Sequence, residues 1–369
     1  MRTVICAGKT GGHVFPALAV ARLLRQKNKD AKITFFSTRS GLDRKDLTKE
    51  GFSFFAIFGR GLPPRFSMGT LWWAGCLLIS LFQVLAAFIR VRPQLVLAFG
   101  GYISAAPILI AGLLRIPVVI HEGNASPGRA NRFLARWARF ICTSFPIDED
   151  CRHAFNELLR DRIEVTGLPI REDFFNLDKG RCLRQLELDP DRKLILVMGG
   201  SLGSKCVNDL VLGALDELGD LVSRVQFFHV TGRQEYERIV SKYRMNGVRY
   251  KAHDFFDHIE LVFGCADLFI GRAGASTLAE ITYCGVASIL IPYPYAIEDH
   301  QTMNASYLAK HGAAFILEEL QVTPRLLAQE IAKVIQNDRL RLSMSENALR
   351  FGVADGASRI VDILGKALK

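Results

Sequence analysis

A chain of 369 residues that is 49% hydrophobic and 23% charged has the core and surface of an ordinary globular protein of about two domains, which excludes intrinsic disorder. Its 8 cysteines form no C-x-x-C pair and no Cys/His cluster of zinc spacing, so free thiols in a reducing compartment are expected, with no metal and no cofactor. The formal charge of +10 is uneven: residues 1–165 carry 23 Lys and Arg against 11 Asp and Glu, and the remainder carries 24 against 26.

In chain order, a first strand is expected at 3–7, where a signal peptide would otherwise lie. It runs straight into Gly8-Lys9-Thr10-Gly11-Gly12-His13, and a helix follows from Pro16. Strands are expected at 33–37 and 53–57. Then comes the longest apolar run, 71–89, LWWAGCLLISLFQVLAAFI. Between Gly51 and Ile147 Glu122 is the sole acid, against nine arginines and no lysine. A basic half suits nucleic acid, an anionic membrane or an anionic substrate, and an apolar run within it favours the membrane. The run reaches the lower range of spanning length. Three readings of it stand: a helix packed on the core, a helix docked at a membrane interface, and a span. A span would split the sheet between Gly8 and Gly100.

A strand at 95–98 enters Gly100-Gly101-Tyr102. Strands at 117–121 and 139–143 follow, with a helix at 128–137 between them. The strand at 163–166 ends in Gly167-Leu168-Pro169, which places the boundary: a first domain at 1–166, a second at 167–351, and a last helix within 352–369 that crosses back to the first. The second half has strands at 193–198, 225–230, 249–252, 267–271, 286–292 and 313–317, with helices such as 207–218 and 276–284. The strand at 193–198 opens a third glycine turn, Gly199-Gly200-Ser201-Leu202-Gly203. Short apolar strands with helical crossovers give an α/β fold of two doubly wound parallel sheets. Ligands of such sheets sit at the carboxyl ends of the strands, where the glycine turns lie.

Glycine at a strand-to-helix turn lets backbone N–H groups approach a ligand, and the helix N-terminus adds partial positive charge, so such a turn suits phosphate. Neither common phosphate motif fits. A P-loop would need glycine at Thr3, and the spacing of Gly8, Gly11 and Gly12 is not that of a dinucleotide fingerprint. His13, where the first turn meets its helix, reads either as a cap or as a general base, since imidazole titrates near neutral pH. Glu280, one turn into a helix after Gly271-Arg272-Ala273-Gly274, reads as a ribose ligand or a solvated helix face. His121-Glu122-Gly123-Asn124 collects polar groups at the end of a buried strand, which calls for a ligand, and Glu122 is the next candidate base. Asp299-His300-Gln301 with Asn304 suits a sugar rim. Phe255 and Phe256 read as core or as a base-stacking pair.

These motifs together resemble the MurG-type family, bacterial N-acetylglucosaminyltransferases that convert lipid I to lipid II in peptidoglycan synthesis. The resemblance rests on Thr10-Gly11-Gly12-His13-Val14-Phe15-Pro16, Gly100-Gly101-Tyr102, His121-Glu122 with Asn124, Gly199-Gly200-Ser201, Gly271 to Glu280, and His300-Gln301 with Asn304. It implies a GT-B fold, two Rossmann-like domains facing across a cleft. It implies His13 as the base of an inverting transfer and acceptor contacts from Gly11, Gly12, Gly100, Gly101, Tyr102 and Glu122. Donor contacts would come from Thr10, Gly11, Gly12, His13, Asn124, Arg171, Ser201, Phe256, Glu280, His300 and Gln301. Within that set Ser201 falls on phosphate, Glu280 on ribose and Phe256 at uracil. Implied partners are UDP-GlcNAc, lipid-linked MurNAc-pentapeptide, the anionic surface of the cytoplasmic face of the inner membrane and other cell-wall synthesis proteins, without nucleic acid. Lys9, Ala17, Ala105, Gly123, Leu168 and Leu202 depart from the family's usual residues. Rival readings are another GT-B transferase, a UDP-GlcNAc epimerase, or a non-enzymatic lipid- or nucleic-acid-binding protein.

Overall fold

The structure is a computed structural model that describes residues 1–8, 11–38, 47–48, 50–59, 68–146, 155, 157–200 and 203–369. It divides into two compact units, Met1–Arg171 with Asp355–Lys369, and Glu172–Ala354.

The first unit holds a seven-stranded parallel sheet, β1 (Arg2–Cys6), β2 (Lys32–Ser37), β3 (Ser53–Ala56), β4 (Leu95–Ala98), β5 (Val118–Glu122), β6 (Phe140–Thr143) and β7 (Ile163–Val165), in the order β3-β2-β1-β4-β5-β6-β7. Successive side chains of a strand point to opposite faces, and the two faces here carry separate cores. Val4 and Cys6 of β1, with Val96 and Ala98 of β4, pack one way; Ile5, Leu95 and Leu97 pack the other. Helices α1 (Gly11–Lys27), α2 (Met68–Val91), α3 (Ala105–Leu113) and α4 (Arg129–Leu134) belong to this unit. The second face is closed by α1 together with the C-terminal helix (Gly356–Ala367), which buries Ile360, Ile363 and Leu364. Lys27 reaches Asp362 at 3.2 Å across that pair.

The second unit repeats the plan with six parallel strands, β8 (Lys193–Met198), β9 (Val225–Val230), β10 (Tyr250–His253), β11 (Leu268–Gly271), β12 (Ala287–Leu290) and β13 (Ala314–Ile316), in the order β10-β9-β8-β11-β12-β13. The thirteen strands among the described residues all fall within a residue or two of their expected spans, because buried strands announce themselves by unbroken apolar runs. Helices α5 (Lys179–Gln185), α6 (Lys205–Leu215), α7 (Tyr236–Met245), α8 (Ile259–Phe263), α9 (Ala275–Cys284) and α10 (His300–Lys310) run between or beside these strands. The seven cysteines among the described residues are all free.

Two expectations need correction. The first helix starts at Gly11, not Pro16. Proline commonly opens a helix, but here it sits inside one, where it has no N–H to offer the Gly12 carbonyl. Helix α2 is also longer than the apolar run that marked it. It presents Cys76, Ser80, Val84, Ala87 and Phe88 to the interior, while Trp72, Leu78, Phe82 and Ile89 are 57–73% exposed. By length and composition this helix is apolar enough to cross a membrane, yet one stripe of it is part of the first unit's core.

A fully buried polar group links β9 to α6. His229 Nε2 donates to Asn208 Oδ1 at 3.0 Å, its Nδ1 lies 3.1 Å from the Tyr243 hydroxyl, and Asn208 Nδ2 donates to the Thr231 carbonyl at 2.9 Å. Burial holds this imidazole neutral by lowering its pKa to about 3, with a smaller push from Arg238. The unfolded imidazole binds a proton below its ordinary value of 6.5 and the folded one does not until about pH 3, so the unfolded chain carries more protons in that window. This contribution is therefore complete above pH 6.5 and is lost as the pH falls towards 3. Between pH 7 and pH 5 it removes about 2 kcal/mol from the second unit. Urea unfolding at both pH values will show that difference shrinking by about this amount in His229→Gln. An equal pH dependence in both proteins would count against it.

Candidate active site

In a doubly wound sheet the chain leaves two adjacent central strands towards opposite faces, and the crevice between them takes the ligand. Here those pairs are β1/β4 in the first unit and β8/β11 in the second. Each of the four strands ends in a glycine-containing turn: Gly8, Gly100-Gly101, Gly199-Gly200 and Gly271 with Gly274. The glycines are required by shape. Gly100 and Gly101 have φ of 87° and 76°, and a side chain on Gly199 would lie 2.4 Å from the Ser204 nitrogen.

In the first unit, Gly11 and Gly12 open α1 and His13 stands in its first turn. The turn after β4 comes up against that imidazole: a side-chain carbon on Gly101 would lie 3.9 Å from His13 Cε1. His13 Nδ1 lies 3.4 Å from the Gly8 carbonyl. A carbonyl only accepts, so this bond fixes the proton on Nδ1 and gives Nε2 the lone pair. That is the tautomer a base needs. Tyr102 follows in a short 3-10 turn. Thr10 lies outside the described residues.

Glu122 ends β5 and is 4% exposed. Its carboxylate accepts four hydrogen bonds: Oε1 from the Asn124 amide at 2.9 Å and from Asn124 Nδ2 at 3.1 Å, Oε2 from the Gly128 amide at 3.1 Å and from Asn131 Nδ2 at 2.8 Å. A carboxylate has about four lone-pair sites, and these donors fill them. Glu122 thus organises the turn of residues 122–131 and presents Asn124.

In the second unit, Gly200 and Gly203 have φ of 93° and 78°, and Ser204 caps α6 by accepting from the Val207 amide. Ser201 and Leu202 lie outside the described residues. Arg272, quoted only as part of a motif, turns out to be the hub of this half-site. It is 8% exposed, donates to the carbonyls of Ile291 and Pro292 at 3.0 and 3.2 Å and to Ser204 Oγ at 2.8 Å, and pairs with Glu319. One cation therefore ties the ends of β8, β11 and β12 together. The available signal was an arginine set among small residues at a strand end. Glu280 is half-buried in α9. Phe256 is half-buried, its ring packed on Phe228 at 4.9 Å and on His253 at 4.8 Å, while Phe255 is 49% exposed.

The loop before α10 is tightly specified. Glu298 and Asp299 both take left-handed backbone, with φ of 56° and 52°. His300 Nδ1 donates to the Ile297 carbonyl at 2.8 Å, and Gln301 Oε1 accepts from the Tyr293 amide at 3.0 Å. Asn304, fully buried, donates to the Ala273 carbonyl at 3.1 Å and so binds α10 to the β11 turn.

Residues 3–143 match the N-terminal domain of glycosyltransferase family 28, and residues 194–360 match its C-terminal domain. The chain belongs to glycosyltransferase family 28. A relative from Syntrophotalea carbinolica, named UDP-N-acetylglucosamine--N-acetylmuramyl-(pentapeptide) pyrophosphoryl-undecaprenol N-acetylglucosamine transferase, is 37% identical over 98% of both chains. A protein of the same name from Halothermothrix orenii is 35% identical over 100% of both. The crystal structure of MurG from Acinetobacter baumannii superposes with a TM-score of 0.78 at 30% identity, covering 99% of this chain and 100% of that one. This glycosyltransferase thus has two parallel-sheet α/β domains with relatives of GT-B architecture.

The Glu122 geometry has a measurable consequence. Glu122→Gln sets an amide NH2 against donors that need acceptors, at a cost of about 1.5–3 kcal/mol. Denaturant unfolding should show that loss, while the pH profile of residual transfer stays that of the parent enzyme. A profile displaced by the substitution would mean that Glu122 itself titrates during turnover.

Proposed function

We propose that this glycosyltransferase moves GlcNAc from UDP-GlcNAc to the C4 hydroxyl of undecaprenyl-pyrophosphoryl-MurNAc-pentapeptide, forming lipid II from lipid I. The relatives that match its whole length carry the name of that transferase. The observation that carries the reading is His13, held as the Nδ1–H tautomer beside Gly101 at one of two glycine-lined switch points.

An α-linked donor giving a β-linked product requires one displacement with inversion. The acceptor hydroxyl loses its proton to His13 Nε2 as its oxygen attacks the sugar's anomeric carbon, and UDP leaves from the opposite face. Charge on the leaving diphosphate is met by the amides and helix dipole near Ser201 and by Arg171. Glu280 accepts from the ribose hydroxyls, and His300 and Gln301 hold the sugar. Phe256 contacts the uracil end of the site. Gly11, Gly12, Gly100, Gly101 and Tyr102 receive the acceptor's pyrophosphate, and Asn124 sits on the turn that Glu122 shapes.

The acceptor is anchored in lipid, and α2 supplies a matching surface. Its exposed Trp72, Leu78, Phe82 and Ile89 form an apolar stripe that ends beside the exposed Arg90 and Arg92. Apolar burial and surface charge together favour peripheral docking on anionic lipid at the cytoplasmic face of the inner membrane.

Transfer of radiolabelled GlcNAc to a lipid I analogue tests the reaction and the base together. His13→Ala should lower turnover by roughly 10²–10⁴ while calorimetric affinity for UDP holds. Turnover that survives within a few-fold would put the base elsewhere.

The docking surface is checked by sedimentation with anionic vesicles. The parent protein should pellet, and salt should release part of it. Phe82→Ser with Ile89→Ser should stay in the supernatant with transfer to a soluble acceptor analogue preserved. Recovery of the parent protein in the supernatant at every salt concentration would remove the docking role.

A further inference from the structure

The segment that leads out of the first unit is fastened to it at three points. Gly167 takes φ of 74°, and its amide donates to the Thr143 carbonyl at 3.1 Å. His121, 1% exposed, donates from Nε2 to the Gly167 carbonyl at 3.1 Å. Leu168 and Ile170 are then buried. The segment ends at Arg171, whose guanidinium carbon lies 5.5 Å from the centre of the Phe15 ring. Phe15 is two residues past His13 on α1 and is 39% exposed. An aromatic ring left half in solvent beside the candidate base, with a cation over its face, is a seat for that cation.

We propose that Phe15 and His121 are positioning residues for Arg171: the buried imidazole clamps the Gly167 carbonyl to the end of β5, and the Phe15 ring seats the guanidinium beside the His13 turn. This rests on the reading of Arg171 as a donor-site residue. His121 suits the task because it stays neutral and so keeps one ring proton for the carbonyl and no charge to bury. Burial lowers its pKa to about 4, with the His13 ring adding to the effect. Phe15 suits it because a ring face fixes a planar guanidinium in orientation without itself neutralising it.

The test is steady-state transfer with UDP-GlcNAc varied, together with thermal melting, on full-length protein. Phe15→Leu should keep the melting temperature and cut kcat/KM for UDP-GlcNAc about three-fold, the scale of a part-exposed cation–π contact. Phe15→Tyr should restore it. In an Arg171→Ala background Phe15→Leu should have no further effect. His121→Gln keeps a donor near the Nε2 position and should outperform His121→Leu at equal fold stability. If Arg171→Ala reduces kcat/KM but the Phe15→Leu loss multiplies with it, Arg171 keeps its donor role and the seating falls. If Arg171→Ala leaves UDP-GlcNAc kinetics unchanged, the donor-site reading of Arg171 falls and the seating with it. Equal activity of Phe15→Leu and the parent enzyme also overturns the proposal.

Discussion

Everything at the candidate site depends on one geometric constraint: backbone segments must pack within contact of one another at the carboxyl ends of parallel strands. In the β8 turn a β-carbon on Gly199 would meet Ser204 itself, and on Gly271 it would sit 2.0 Å from the Met198 carbonyl. The strand ends can therefore approach one another this closely only as glycine. Parallel pairing then fixes the rest, because it puts all carboxyl ends on one edge of each sheet and the switch in strand order opens the crevice there.

Against that shared backbone, the side chains divide their work by how many partners they have. Glu122 and Arg272 are charged, nearly buried and satisfied several times over. A buried ion in that state is fixed in place, since losing any one partner leaves a desolvated group behind. Such residues set the shape of turns. His13 differs, because its contact with the Gly8 carbonyl favours, in the neutral ring, a proton on Nδ1 and a lone pair on Nε2. The saturated groups hold the shape of the turns, and the proposed chemistry falls to the imidazole between them.

Much of this was legible in the sequence. Val4 and Ile5, or Val96 and Leu97, lie in unbroken apolar runs because each strand is covered on both faces, and that pattern needs no knowledge of distant residues. The glycine turns were legible for the same reason, since a run that ends in glycine marks a strand end. What was hidden was everything non-local. Nothing near His121 says that its partner is the carbonyl of Gly167, or near Arg272 that it reaches Ser204 and Pro292. Glu122 looked like an available carboxylate because its four donors come from a turn whose conformation the carboxylate itself creates. Pro16 misled through a sound rule: it marks helix starts on average, but glycines at 11 and 12 let this helix begin a full turn earlier.

The same contrast explains α2. Its run of apolar residues leaves the core and interfacial readings open in sequence, with a span disfavoured, since composition does not record which stripe of a helix is covered. The fold resolves one stripe: Val84, Ala87 and Phe88 are core, so this helix cannot leave the first unit without exposing them. The opposite stripe keeps Phe82 at 73% and Ile89 at 68% exposure, more apolar surface than a helix covering a sheet in water needs to show. A helix half committed to its own core can lie along an interface but not thread through it. For an enzyme whose proposed acceptor is tethered to a lipid, such a helix suits attachment along a surface rather than through it.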